Sequence, residues 1–359
     1  MKNRYLCTNS LPFAEYMRNI VRTIFPMLLL AGAVSCAPKD KYIAFSGYAQ
    51  GGVYNVTVNV KGVDIRPQDI KKEVDEILAD IDNSLSGYNK NSLLSRFNAG
   101  ETITPDSLFM DIYNHACHIF DYTGGVVDVA SAPLFDIWGF GFSSDVFPTE
   151  ERVADVLKES GLKRLKKDMP VPVSGADMLE TEGGVLPKLN YNAIAQGYSC
   201  DVVARYLYSI GVKDMMVDIG EIYCDGRNPS GRQWTIGIDK PVDGNNAPGA
   251  QMQGVFKVPA GAHGVVTSGN YRKFYVRDGK KYAHTIDPRT GYPVSHGLLS
   301  ATIVAENALL ADAYATYCMV IGLEEAKEFL SSRSDLEGCL IYDDDGAFDT
   351  WCSEGFVLE

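Results

Sequence analysis

The sequence predicts an α+β fold of mixed, largely antiparallel sheets with helices packed against them. Three observations carry this. YNVTVNV at 54–60 alternates apolar and polar residues with period two, the mark of a half-buried strand. Ile70, Val74, Ile77, Leu78, Ile81 and Leu85 recur at helical spacing through a charged stretch, the mark of an amphipathic helix. Further along, strands and helices mix without the regular β-α alternation that a doubly wound parallel sheet requires.

The elements follow in order. After the strand at 54–60 and the first helix, Thr104-Pro105-Asp106 opens a second helix, with proline in its first turn and an acid near the positive end of its dipole, ending near Tyr122-Thr123-Gly124-Gly125. PTEERVADVLKESG (148–161) is a third helix closed by Gly161, and QGYSCDVVARYLYSIG (196–211) a fourth. VKDMMVDI, QWTIGID and VFKVPA read as strands, with DGNNAPGA (243–250) as a surface loop. The last third runs SATIVAEN as a strand, a helix from Ala308 to Ile321, a helix EEAKEFLSSR, then strands CLIYDD and AFDTWC.

The N-terminus stands apart. Ile24 to Cys36 is apolar but too short to span a bilayer with its flanks, follows Arg18 and Arg22, and ends in Ala33-Val34-Ser35 directly before Cys36. This is the pattern of a bacterial lipoprotein signal, with Cys36 as the acylated first residue of the mature chain and Met17 an alternative start; a plain cleaved signal or an uncleaved anchor are the other readings. The organisation is then signal 1–35, lipidated Cys36 and tether to 44, and one folded domain over 45–359, expected to be exported, lipid-anchored and facing the periplasm. The full chain has a net charge of −13, and losing the four basic residues and one acidic residue of 1–35 leaves −16. Nucleic acid is excluded as a partner, since binding it needs a concentrated basic face. Of eight cysteines none shows CxxC spacing. Cys339 and Cys352 flank the turn DDDG as a hairpin would, leaving open a disulfide or two small buried apolar side chains.

Several segments could carry chemistry. Asp312 and Thr316 lie four apart on a helix, so a carboxylate and a hydroxyl share one face; both are hard oxygen ligands suited to Mg²⁺ or Ca²⁺, though Thr316 could equally bond its own backbone. LNYNAIAQGYSCD (189–201) is a small-residue turn entering a helix, either a place where backbone groups approach a ligand and the helix start favours phosphate, or simply a helix start packed by small residues. In YTGGVVDVASAPLFDIWGFGF (122–142), Asp128 could accept hydrogen bonds from a heterocycle while Val126 and Val127 offer apolar contact and amides; Trp138, Phe140 and Phe142 read as a core cluster. In YAHTIDPRTGYPV (282–294) His284 has the one side chain suited to proton abstraction near neutrality, but alone it fits a structural histidine in a turn; Asp287 and Arg289 read as a brace.

TGGVVDV…PL…WGF, NAIAQGY…D, VDIGEI, VVTSGNYRKF, YAHTIDPRTGYPV and ADAYAT, in this order from about Phe45 to the C-terminus, resemble the ApbE-type family of FAD:protein FMN transferases. The resemblance implies a single catalytic unit with FAD in a cleft between the two halves of the chain. It implies Mg²⁺-dependent transfer of FMN from FAD to a threonine or serine hydroxyl of an acceptor protein, releasing AMP, with flavinylated subunits of membrane redox pumps or exported flavoproteins as acceptors. Residue by residue it implies Asp312, Thr316 and the Ala193 carbonyl as metal ligands, His284 as the base, and Tyr88, Val126, Val127, Asp128, Asn190, Gln196 and Ile286 at the flavin. The chain departs from the family pattern at Gln50-Gly51-Gly52, where a methionine is usual, at Asn190 and Gln196, and in the single glycine of Gly220-Glu221. Two alternatives are Mg²⁺-dependent hydrolysis of FAD to FMN and AMP, and a periplasmic FAD-binding lipoprotein.

Overall fold

The computed structural model describes residues 41–359 except 143–146, 243–244, 246–248 and 272–273, so the signal, Cys36 and its tether lie outside the described residues. In chain order come β1 (Tyr42–Ala49), β2 (Gly52–Asn59), α1 (Pro67–Leu85), α2 (Leu93–Asn98), α3 (Ser107–Tyr122), α4 (Ala132–Ile137), α5 (Glu150–Glu159), α6 (Gly175–Met178) and α7 (Ala195–Ser209). Strands β3 (Met215–Asp218), β4 (Ile222–Asp225), β5 (Thr235–Asp239), β6 (Met252–Lys257), β7 (His263–Gly269), β8 (Phe274–Arg277), β9 (Lys280–Ala283), β10 (Ile286–Asp287), β11 (Tyr292–Pro293) and β12 (Leu298–Ala305) follow. The chain closes with α8 (Ala308–Ile321), α9 (Leu323–Ser331), β13 (Glu337–Asp344) and β14 (Ala347–Cys352).

Eight strands form one sheet in the order β1-β2-β3-β4-β7-β12-β13-β14, every neighbouring pair antiparallel. The predicted class and largely antiparallel character therefore hold. Alternation assigns the faces: Val266, Ile303 and Leu340 pack with the α8 and α9 side chains, while Val265, Val304 and Ile341 pack with Trp234, Ile238 and Phe256 from the β5–β6 region. The main core lies where Tyr54, Val56 and Val58 of β2 meet Ile70, Val74, Leu78 and Ile81 of α1. These are the residues that the two sequence periodicities single out.

Two readings change. Pro105 does not occupy the first turn of α3: Asp106 is its N-cap, its carboxylate accepting from the Phe109 amide at 2.8 Å, so the helix begins one residue after the proline–aspartate pair. Within the loop at 243–250, Asn245 is not at the surface; it is buried, and its side-chain nitrogen donates to Lys240 O at 3.0 Å and Gln251 O at 3.1 Å, closing the chain between β5 and β6.

α8 is buried nearly all round and rich in alanine, which lets other backbone come close. A Cβ on Gly264 of β7 would lie 2.3 Å from Ala308 Cα, so glycine is what admits the helix start against the sheet.

Candidate active site

The start of α7 meets the start of α8 through another glycine. A Cβ on Gly197 would lie 2.2 Å from Ala308 O and 2.9 Å from Asp312 Cβ. At this contact the Gly197 amide donates to Asp312 Oδ2 at 3.1 Å. Asp201, one turn further along α7, accepts from the Ala308 and Leu309 amides at 2.9 Å each, satisfying donors that a helix start leaves unpaired. Both carboxylates are buried. Burial drives the Asp312 carboxyl well above the ordinary carboxylate range; the Gly197 bond offsets part of this and the charge of Asp201 adds to it. Burial likewise pushes Asp201 up to about 6, against its two backbone bonds.

Thr316, half-buried one turn beyond Asp312, and half-buried Ala193 just before α7 supply the other predicted oxygens. This donor set fits a hard divalent cation. Asp312 is a desolvated carboxylate with a second buried acid behind it, and among the described residues the Gly197 amide is its one hydrogen-bond donor.

The turn before α7 is shaped by Asn190. Its amide donates to Val129 O at 2.7 Å, and its side-chain oxygen accepts from the Asn192 amide at 2.9 Å. Asn192 Nδ2 in turn donates to the Tyr88 hydroxyl at 3.2 Å. Tyr88 is 64% exposed and meets Phe142 edge-on with ring centroids 5.1 Å apart. Gln196 donates to Ile219 O at 3.1 Å and lies over Gly220, whose φ of +90° and close approach to that side chain call for glycine. On the other side Gln50, in the β1–β2 turn, donates to Ser199 Oγ at 2.5 Å, so the Gln50-Gly51-Gly52 departure closes against the first turns of α7.

Val126 and Val127 are buried, and their amides are engaged by the Thr123 carbonyl at 3.3 Å and hydroxyl at 3.2 Å, so neither amide is free for a ligand. The Asp128 carboxylate accepts from Ala130 at 2.8 Å and from Leu162 at 3.1 Å, fixing the 3₁₀ turn Val129–Ser131 against Gly161. Burial pushes its carboxyl up to about 6 despite those bonds. A cavity of about 460 Å³ bordered by Leu162, Phe120 and Cys117 lies beyond this turn and is lined by none of the predicted site residues.

The segment 282–294 is held from both ends. Asp287 O accepts from the Gly291 amide at 2.8 Å, the Asp287 carboxylate pairs with Arg289 at 2.9 Å as the predicted brace, and buried Trp138 donates from Nε1 to Gly291 O at 2.8 Å. Ile286 is buried with Leu134, Trp138 and Val153, a wall rather than an exposed surface. The Thr285 hydroxyl donates to Asn270 Oδ1 at 2.6 Å, and the Asn270 amide to Leu299 O at 3.0 Å, which ties the residue next to His284 to the end of β7. His284 is half-buried, its ring 6.4 Å from that of Phe140. Trp138 is core as expected, whereas Phe140 and Phe142 are only half-buried and connect other segments.

These segments connect in turn: His284 meets Phe140, Phe142 two residues along the chain meets Tyr88, Tyr88 accepts from Asn192 beside Ala193, and α7 leads on to Gly197 and Asp312. Residue patterns alone did not single out Asp201, Asn192 and Asn270 individually. Asp201 had a signal, an acid four residues after Gly197 on the same helix face.

An antiparallel α+β framework here carries a helix start, an acid and hydroxyl pair one helical turn apart and a histidine, the residue types that phosphoryl-transfer enzymes use. The chain matches the ApbE family over residues 51–340 and belongs to that family. It is 31% identical over 353 residues to the FAD:protein FMN transferase of Vibrio cholerae, covering 95% of this chain and 98% of that one. It is 34% identical over 307 residues to that of Escherichia coli, covering 83% and 84%. Among solved structures, the flavin transferase ApbE of Vibrio cholerae superposes with a TM-score of 0.72 at 29% identity, covering 88% of this chain and 98% of that one. The Pseudomonas stutzeri flavinyl transferase ApbE, apo form, does so with 0.74 at 29% identity, covering 88% and 96%.

Proposed function

We propose that the protein transfers FMN from FAD to a threonine or serine hydroxyl of an acceptor protein in a Mg²⁺-dependent reaction that releases AMP. The observation that carries this is the buried Asp312 carboxylate, left with one amide donor and a second acid behind it, beside a helix start suited to phosphate. The Asp312 carboxylate, the Thr316 hydroxyl and the Ala193 carbonyl would hold the ion, which supplies neutralisation of charge on the pyrophosphate oxygens. His284 takes the proton from the acceptor hydroxyl. The hydroxyl oxygen bonds to the FMN-side phosphorus, the bond from that phosphorus to the bridging oxygen breaks, and AMP departs with that oxygen. Tyr88, exposed and tethered to Asn192, would cover a flavin ring; Asn190, Gln196 and Asp128, which brace their own turns, would hold the backbone near it, with Val126, Val127 and Ile286 as apolar wall. The acceptors we propose are flavinylated subunits of membrane redox pumps or exported flavoproteins.

The test incubates the purified protein with FAD, Mg²⁺ and a candidate acceptor domain. A gain of one FMN on the acceptor with AMP released supports transfer. Free FMN and AMP with an unmodified acceptor would mean hydrolysis, and intact FAD would mean binding only.

The signal pattern further supports export and acylation at Cys36, anchoring the domain to a membrane on its periplasmic side. Cys36→Ser should leave the protein in the soluble fraction, while unchanged membrane recovery would discard the lipid anchor.

A further inference from the structure

We infer that Cys339 and Cys352 form a disulfide that staples the edge strand of the main sheet, an oxidative modification site separate from the flavin site. The two residues are direct partners in the β13–β14 register, and both are thiols in the structure. The Ser353 amide donates to Gly338 O at 2.9 Å while the Gly338 amide turns to Ser353 Oγ, so the ladder's bonding position falls at Gly338–Ser353 and the adjacent Cys339–Cys352 pair takes the non-hydrogen-bonded position. There Cα atoms approach to about 4.5 Å and side chains stand closest, at the short end of the about 4.4–6.8 Å that disulfides span.

Their surroundings differ in a way that sets the order of events. Cys339 is fully buried among Val304, Ile341 and Phe356, whereas Cys352 is half-buried on β14, the last strand of the sheet. Cys352 is the thiol that an oxidant can reach, and its neighbour Cys339 holds it below the ordinary cysteine range, so Cys352 supplies the thiolate. It attacks the disulfide of an oxidant, releasing one thiol and leaving a mixed disulfide. Cys339 then loses its proton and attacks the Cys352 sulfur, releasing the second thiol. Two protons and two electrons leave the pair, and the oxidant's disulfide is reduced to two thiols. In the cell a thiol–disulfide oxidoreductase would serve as oxidant, a point that rests on the export reading; the chemistry below does not. Cys339 faces the β5–β6 side of the sheet, opposite α8 and Asp312, so the staple acts on stability and not on the flavin chemistry.

The experiment treats the purified full chain with oxidised glutathione under native conditions, alkylates free thiols and maps peptides by mass without reduction. The expected result is one linked peptide pair, Cys339 to Cys352, two hydrogens lighter than the thiol form. Reduction should then lower Tm by about 4 °C, with no such response in Cys352→Ala and the same FMN transfer in both redox forms. Alkylation of both cysteines after oxidation, a link to another cysteine, or a bridged protein whose Tm ignores reduction would each overturn the inference.

Discussion

The Gly197 amide donates to Asp312 Oδ2 at 3.1 Å where α7 comes so close to α8 that a Cβ on Gly197 would strike the Ala308 backbone. The hydrogen bond that orients the carboxylate and the helix contact that buries it are therefore the same feature. Gly197→Ala gains about 1 kcal/mol of helix propensity, but its Cβ would fall 2.2 Å from Ala308 O, a backbone atom that cannot swing aside. The expected net effect is a destabilisation of about 2 kcal/mol with the helices pushed apart, read by urea unfolding, together with weaker Mg²⁺ activation. An alanine variant as stable and as active as the parent would show that the two helices have more room than this contact implies.

Asp312→Asn separates charge from shape. The amide keeps an oxygen for Gly197 but removes the ionised group that burial disfavours, so the metal-free protein should be as stable as the parent or more so near pH 8. Transfer should fall by about 10³-fold, and the rise in Tm that Mg²⁺ gives the parent should vanish. A persistent Mg²⁺-induced rise in the variant would place the ion elsewhere.

His284→Ala should lower transfer by about 10²–10⁴-fold while FAD binding, followed by flavin fluorescence, stays within about threefold. The split is expected because Thr285, Asp287 and Gly291 anchor the segment through bonds of their own. Retained transfer would remove His284 from the base role; loss of FAD binding in step with transfer would give it a binding role instead.

What could be read in the sequence was local. β2 and α1 announce themselves by period, and α8 begins and ends where an Asn307 cap and Gly322 bracket an apolar run. β7 went unread because it sits between β4 and β12 with Gly264, Val265 and Val266 all buried, so it lacks alternation; α4 went unread because six residues are too few to show a helical period. At the site, His284, Asp312 and Thr316 were legible as residue types at telling positions. The work of Asn190, Gln196 and Asp128 was not, because their partners Val129, Ile219 and Leu162 are set by how the segments pack.

Asp128 gives the pH prediction. Its folded pKa is about 6 against an ordinary value of 3.8, raised by burial despite bonds from Ala130 and Leu162. Between those values the folded state holds more of the proton than the unfolded state, so this group's contribution is fully present below about pH 4 and is lost as pH rises through 6. The shift corresponds to at most about 3 kcal/mol. Asp128→Asn retains one acceptor oxygen for the same amides and does not titrate. Unfolding free energies of the two proteins, measured by urea at several pH values without FAD, should therefore diverge between pH 4 and 7, the variant gaining on the parent as pH rises. Other carboxylates contribute to both curves alike and cancel in the difference. A flat difference, or one that favours the parent at higher pH, would mean that the Asp128 carboxylate is better solvated or better hydrogen-bonded than its place behind Gly161 indicates.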